Sequence, residues 1–156
     1  KGTTYNVTGR IRGKSSEYQI LLGGHYDTHF WGFQDDCCAV GLVLAAAKAM
    51  LDIGFEPEND IVFCLHGAEE WGSSYTQFDW TVGAWEMINT LHPEWVGKTL
   101  AFLNFELPAY EFATYTTTYS APEMFSLLRD FTMRYPYAPK PQGCFPDGVL
   151  TEGYQT

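Results

Sequence analysis

Three short apolar runs constrain the fold of this chain more than any other feature, because each has the length and composition of a strand buried on both faces. They are YQILL at 18–22, IVFCL at 61–65 and TLAFLNF at 99–105. Helix-type segments, from 35 or 36 to 52 and from 80 to 91, separate the runs. This alternation predicts an α/β fold with a mostly parallel, mixed β-sheet flanked by helices.

Turn and capping residues predict where the first elements begin and end. Residues 5–11 alternate as a strand does, and the glycines at 23–24 are expected to form a loop after the 18–22 strand. Asp35 or Asp36 is expected to cap the first helix, and Gly54 is expected to end it.

The second half of the chain is less regular. Pro93 ends the 80–91 helix, and residues 114–119 are β-prone or loop. Ser120 opens a capping-box pattern for a helix that reaches about residue 134. Residues 136–153 are rich in Pro and Gly and have no periodicity, so no regular element is predicted there.

Charge and composition narrow the range of partners. The net charge of -10 disfavours nucleic acid, whose binding depends on basic residues that neutralise phosphates, and it suits metal ions or substrates with a free amine. The longest apolar run, 39–50, contains Lys48 and is too short to span a membrane. The four cysteines show no C-x-x-C spacing, so neither a disulfide framework nor a cysteine-type zinc site is predicted.

Acidic residues and histidine follow the three strand-type runs. His25 and Asp27 follow the first run, Glu69 and Glu70 the second, and Glu106 the third. Because the carboxyl ends of parallel strands share one edge of a sheet, these side chains are expected to converge.

A divalent metal ion explains this set better than separate surface roles do. Clustered carboxylates repel one another, a cation removes the repulsion, and a mixed histidine and carboxylate set suits zinc. Asp35, at the start of a helix, is placed to bridge two ions, and Asp27 to orient the ring of His25. Of the adjacent glutamates, one can bind metal while the other takes a proton from water. Taken singly, each feature also fits a surface histidine, a helix cap or a solvated turn.

Four segments in order, GGHYDT, QDDCCAVGLVLAAAKAM, IVFCLHGAEEWGSS and TLAFLNFE, resemble the M28 family of zinc aminopeptidases and carboxypeptidases. That family also contains glutaminyl cyclases and transferrin-receptor-like proteins. The resemblance implies a zinc-exopeptidase fold of the phosphorylase/hydrolase-like type, with two Zn²⁺ ions in the complete domain. It implies a ligand or catalytic role at six positions, namely His25 (first metal), Asp27 (partner of His25), Asp35 (bridge between the metals), Glu69 (general base), Glu70 (second metal) and Glu106 (first metal).

The sequence departs from the family pattern at several points. Glu106 stands where the family usually has Asp, and the segment after Glu70 reads WGSSYTQFDW instead of the common G-L-x-G-S form. The family's downstream second-metal histidine has no match, since the other histidines are His29, His66 and His92. We therefore expect residues 1–156 to form one partial catalytic domain that lacks its last strands, and association through the truncated sheet edge is a further hypothesis.

The first functional hypothesis is a zinc-dependent aminopeptidase that acts on peptides. One alternative is a glutaminyl-cyclase-like acyltransferase with one zinc ion. The other alternative is a non-catalytic, transferrin-receptor-like binding domain, which the missing histidine and the change at Glu106 would favour.

Overall fold

Strand β2 (Ser15–His25) lies between two parallel neighbours at the centre of a four-stranded sheet. These neighbours are β3 (Asn59–His66) and β4 (Thr99–Asn104), and β1 (Val7–Ile11) pairs antiparallel with the outer side of β3. The strand order is therefore β1-β3-β2-β4. The structure is a computed structural model that describes residues 2–74, 80–108, 117–135 and 140–144. The predicted α/β fold with a mixed, mostly parallel sheet is confirmed.

Helices connect the parallel strands. Helix α1 (Cys38–Asp52) joins β2 to β3. Helix α2 (Val82–Glu86) continues as a π-helical turn, Met87–Leu91, and then a 3₁₀ turn, Pro93–Trp95, before β4. Within the described residues, no helix has the combination of length and apolar character that crossing a membrane would need.

Alternate residues of the strands fill two separate cores, one on each face of the sheet. Leu21 and Val62 pack with Met87 from the π-helical turn on one face. Leu22 and Phe63 pack on the other face with α1. Burial on both sides explains why these strands are apolar runs and not alternating patterns.

The expectation that Gly23 and Gly24 form a loop is wrong, because both belong to β2 and are buried. A Cβ on Gly23 would lie 2.6 Å from the carbonyl oxygen of Cys64, and one on Gly24 would lie 2.9 Å from Asp36 Oδ2. Glycine is thus needed here for close approach, not for a turn.

The expected cap of α1 is also wrong. Asp35 and Asp36 have non-helical backbone angles and precede the helix, and Cys37, its N-cap residue, makes no side-chain capping hydrogen bond. The end of the helix is as predicted, since Gly54 has φ of 64° and donates its N–H to the carbonyl oxygen of Leu51.

Residues 110–150 form a separate compact unit. Its described elements are β5 (Thr117–Ser120), helix α3 (Pro122–Arg134) and β6 (Lys140–Cys144), which pairs parallel with β5. Ser120 does not cap α3, because the N-cap residue is Ala121 and makes no side-chain hydrogen bond. Strand β6 falls in the segment where no element was predicted. That residues 1–156 form one partial domain stays a prediction.

Candidate metal centre

His25, the last residue of β2, lies at the centre of a group of carboxylates. Its side chain is fully buried. The Nε2 atom lies 3.0 Å from Asp35 Oδ1, 3.7 Å from Glu106 Oε1 and 3.9 Å from Glu69 Oε2. Residues from the ends of three parallel strands thus meet at one edge of the sheet, as expected for an open α/β sheet.

Two sets of three donors could each hold a metal ion. His25, Asp36 and Glu106 form one set, and His25, Asp35 and Glu70 form the other. In each set, one ligand atom per residue lies within 4.8 Å of the other two. Glu106 is a member in spite of its extra methylene, so the longer side chain still reaches the site.

Asp36 was not among the ligands implied by the family resemblance, in which Asp35 bridges the two metals and so joins both Glu106 and Glu70. The structure places Asp36 beside Glu106 and Asp35 beside Glu70. Asp36 is buried, and its Oδ1 accepts a hydrogen bond of 3.3 Å from the backbone N–H of Leu107. Two adjacent acids give no sequence signal as to which one turns inward; here the inward position depends on the space that Gly24 leaves.

Asp27 holds the loop that carries both glutamates. Its two carboxylate oxygens accept hydrogen bonds from the backbone N–H groups of Glu69, at 3.1 Å, and Glu70, at 3.2 Å. Burial alone would raise the pKa of Asp27, but hydrogen bonds from His25 and from these two amides outweigh it and lower the pKa. Asp27 therefore stays ionised and links the end of β2 to the loop after β3.

The tautomer of His25 follows from its backbone partner. His25 Nδ1 lies 2.9 Å from the carbonyl oxygen of Asp27. Because a carbonyl oxygen can only accept, Nδ1 carries the proton, and the lone pair of Nε2 faces the carboxylates. This is the usual orientation of a histidine that binds metal through Nε2.

The carboxylates of the site disfavour one another's ionisation. Burial, with the charge of Glu106 as the next cause, raises the pKa of Asp36 to about 7. Burial also raises the pKa of Glu69 to about 7, and that of Glu70 above its usual range. Within the described residues, the ion-pair partners of these acids are His25 and His29, with no lysine or arginine among them. A bound cation would supply the missing positive charge.

Two buried carboxylate oxygens show that the donor set fits such a cation. Asp36 Oδ2 and Glu70 Oε1 are buried and have no hydrogen-bond partner among the residues that the structure describes. Unpaired buried oxygens are costly. Asp36 and Glu70 each belong to one of the two donor sets. Imidazole nitrogen together with carboxylate oxygen is a combination that zinc accepts readily.

Asn6 is a supporting residue that the sequence analysis missed, and no sequence signal marks it. Its Oδ1 accepts a hydrogen bond of 3.0 Å from the N–H of Gly67, and its Nδ2 donates one of 2.8 Å to the carbonyl oxygen of Gly83. Next to these bonds, the N–H of Thr81 donates to the carbonyl oxygen of Glu69 at 2.9 Å. Asn6 therefore fastens both ends of the segment that contains the paired glutamates.

Asn6→Ala is expected to lower the free energy of unfolding by about 2 kcal/mol, because it leaves two buried backbone groups without partners. Urea titration followed by circular dichroism measures the change. Asn89→Ala is the matched control, since Asn89 is exposed and its side chain donates to the carbonyl oxygen of Trp85 in its own helical segment. Equal stability of the two variants would show that Asn6 does not hold the loop.

His66 is the neighbour of His25 across the β2–β3 pair but belongs to neither donor set. Its ring is buried and contacts Phe102 edge to face, with ring centroids 5.9 Å apart. Burial, followed by the charge of His25, lowers the pKa of His66 to about 4. His66 is therefore neutral at pH 7 and part of the packed interior.

Comparison with known proteins shows the family to which the chain belongs. The model of peptidase family M28 matches residues 6–143. The chain belongs to peptidase family M28. Among curated proteins, this M28 chain is 31% identical over 109 residues to a probable leucine aminopeptidase 2 of Aspergillus fumigatus. That match covers 69% of the chain and 20% of the relative.

Solved structures share the fold of this M28 chain. A zinc aminopeptidase from Bacillus subtilis aligns with a TM-score of 0.74 and 16% identity, over 96% of this chain and 36% of that one. An Acidobacteriales glutaminyl cyclase aligns with a TM-score of 0.75 and 18% identity, over 96% of this chain and 53% of that one. The chain thus spans only part of the length of its relatives.

Proposed function

We propose that this M28 chain carries the zinc-dependent centre of an exopeptidase, most specifically an aminopeptidase that removes N-terminal residues from peptides. One observation carries the proposal: two donor sets share His25 at the carboxyl edge of the parallel strands, with Glu69 3.9 Å from the same nitrogen. Membership of a peptidase family and the leucine aminopeptidase relative support the peptidase reaction.

The metal ligands in this proposal come from both donor sets. His25, Asp36 and Glu106 would hold one zinc ion, and Asp35 and Glu70 would hold the other. When bound, zinc supplies Lewis acidity toward a carbonyl oxygen and lowers the pKa of water. Asp27 fixes the position of the His25 ring relative to the loop that carries Glu69 and Glu70.

Glu69 is the proposed general base. Its side chain is 15% exposed, and its Oε2 lies 3.9 Å from Nε2 of His25. Burial raises its pKa to about 7, so that Glu69 can take a proton from water and return it to a leaving amine near neutral pH. Glu70, next in sequence, faces His29 instead, which separates the two glutamates into different roles.

Recognition of a free amino group is consistent with the charge of the site. Six carboxylates converge there, namely Asp27, Asp35, Asp36, Glu69, Glu70 and Glu106. Asp35 is half exposed and Glu106 is 38% exposed, so part of this negative surface is open to a substrate. An ammonium group is stabilised by such a field, whereas an acetylated N-terminus is not.

The test compares three substrates on zinc-loaded protein. The protein is expected to release leucine from Leu-amide and to release none from N-acetylated Leu-amide. Equal cleavage of the two would contradict recognition of the amine. Cyclisation of an N-terminal Gln peptide without hydrolysis would show the cyclase alternative, and a lack of zinc binding would favour the receptor-like alternative.

Zinc affinity is expected to fall as the pH is lowered from about 8 to about 6. In the metal-free protein the pKa of Asp36 is raised to about 7, so below that pH an incoming ion has to displace a proton. Each carboxyl that titrates in this way reduces the apparent affinity by about tenfold per pH unit. Calorimetric titration across this pH range measures the slope, and an affinity that does not change with pH would contradict the assignment of Asp36.

A further inference from the structure

We propose that Leu107 is a positioning residue of the candidate metal centre and that it acts through its backbone. The left-handed conformation of Leu107 directs its N–H to Asp36 and so sets Asp36 beside Glu106. This inference rests on the proposed function, since it takes Asp36 and Glu106 as donors to one metal ion. It gives the residue after Glu106 a role that requires no contact between its side chain and the metal or the substrate.

Left-handed backbone at residues other than glycine is concentrated around this centre. Such residues have a positive φ, which their Cβ makes costly, so they persist where the surrounding structure holds them. Within the described residues, all of them lie in the connections that follow β2, β3 and β4, namely Phe30, Ala68, Thr81 and Leu107. Ala68 directly precedes Glu69, and Leu107 directly follows Glu106. The backbone is thus unusual at the points where these glutamates are presented.

The path of the chain after β4 shows what the conformation at Leu107 does. The N–H of Phe105 donates to the carbonyl oxygen of Gly23 at 2.8 Å, so the chain still runs beside β2 at that residue. Two residues later φ is 49°, and the N–H of Leu107 donates to Asp36 Oδ1 at 3.3 Å. Asp36 belongs to a different connection, the one that precedes α1. The positive φ just after Glu106 therefore joins the end of β4 to the segment before α1.

The hydrogen bond from Leu107 divides the two oxygens of Asp36 between the protein and the metal ion. Oδ1 accepts the bond, whereas Oδ2 is buried and has no hydrogen-bond partner among the described residues. Asp36 shares a donor set with His25 and Glu106, in which one ligand atom per residue lies within 4.8 Å of the others. A donor that holds a carboxylate ligand in one orientation raises the affinity for metal. The N–H of Leu107 is such a donor.

The side chain of Leu107 offers no comparable reason for this geometry. It is 43% exposed, and it belongs to neither of the two apolar cores that the described residues form. A leucine side chain also has no polar group that could stabilise left-handed backbone, as Asn or Asp can. The structural gain from the conformation is the bond between the backbone N–H and Asp36.

Substitutions at position 107 separate a backbone role from a side-chain role, because the two predict opposite orders of zinc affinity. Leu107→Gly keeps the N–H and adopts a positive φ without strain, so its affinity is expected to match that of the original protein. Leu107→Val has a β-branched side chain, which disfavours left-handed backbone most strongly, and its affinity is expected to be about 10–100-fold lower. If the side chain acted through packing, valine would be tolerated better than glycine. Competition with a chelating dye at pH 7 measures the affinities.

Leu103→Val is the matched control. Leu103 lies in β4 and is 41% exposed, so it resembles Leu107 in exposure, but the backbone of a strand suits valine. Its zinc affinity is expected to stay unchanged. Circular dichroism of each metal-free protein checks that the variants fold. If Leu107→Val does not fold, Leu107→Gly still decides, because a loss of zinc affinity in that variant contradicts a backbone role.

Amide hydrogen exchange in the metal-free protein tests the bond itself. The N–H at position 107 is expected to be protected in the original protein and in Leu107→Gly, and to exchange faster in Leu107→Val. An unprotected N–H in the original protein, equal zinc affinity in Leu107→Val, or a loss of affinity in Leu107→Gly would overturn the role of Leu107 and leave the proposed metal centre standing. An original protein that binds no zinc would overturn the proposed function, and the positioning role with it.

Discussion

Glu69→Gln is expected to reduce kcat for Leu-amide hydrolysis by about 10³-fold, because a positioned general base contributes about 10²–10⁴-fold to rate. Glutamine keeps the size of the side chain and the backbone N–H that Asp27 binds, but it cannot accept a proton. Zinc content is expected to stay unchanged, since Glu69 belongs to neither donor set. Steady-state kinetics and elemental analysis on the same preparation measure both quantities.

Glu86→Gln is the matched control for this change. Glu86 is an exposed glutamate at the end of α2, and the same substitution there is expected to leave kcat and zinc content as they were. If Glu69→Gln lost zinc, Glu69 would be a ligand and the proposed division of roles between Glu69 and Glu70 would be wrong. If it kept full activity, another group would be the base.

Asp60→Ala is expected to lower the free energy of unfolding by about 3 kcal/mol or more, as when one partner of a buried ion pair is removed. Asp60, in β3, is 1% exposed. It accepts hydrogen bonds from Arg10, at 2.9 Å, from the backbone N–H of Gly13, at 2.8 Å, and from the Ser16 hydroxyl, at 3.0 Å. Burial opposes its ionisation, but these partners outweigh that effect and lower the pKa. Alanine removes the acceptor that these three donors share. Urea denaturation measures the loss.

Asp52→Ala provides the comparison. Lys48 contacts Asp52 at 2.6 Å, a shorter distance than that between Arg10 and Asp60. Both Lys48 and Asp52 are more than half exposed, so solvent screens the pair and its removal is expected to cost about 0.5 kcal/mol. Similar losses in the free energy of unfolding of the two variants would mean that burial of Asp60 adds nothing to stability, contrary to the prediction.

Sequence reasoning predicted the parts of the fold that local pattern determines. The apolar runs became β2, β3 and β4 because they lie between two cores, and Gly54 ends α1 because its backbone angle suits glycine. It misplaced Gly23 and Gly24, since glycine is common in loops and nothing local shows that Cys64 and Asp36 approach so closely. It also expected side-chain caps on α1 and α3 that do not form.

For the site, the sequence could predict which strand ends converge but not how individual side chains turn. His25, Glu69, Glu70 and Glu106 were placed at one edge by parallel pairing alone. The place of Asp36 beside Glu106, where the bridging Asp35 was expected, depends on backbone angles before α1. The contact of His29 with Glu70 depends on a tight turn. Neither has a periodic signature. The catalytic and ligand roles of these residues stay predictions.

Because of the position of β4, metal binding at the candidate centre is expected to affect local unfolding of the sheet. Among the described strands, β4 lies on the outside of the sheet, pairs only with β2, and leads directly into Glu106. Outer strands open more readily than central ones, and an opening of β4 would carry Glu106 away from His25. A bound ion, which binds the closed form alone, would oppose that opening by mass action. Amide hydrogen exchange in β4 should therefore slow when the protein is loaded with zinc, while exchange in the central strand β2 changes less.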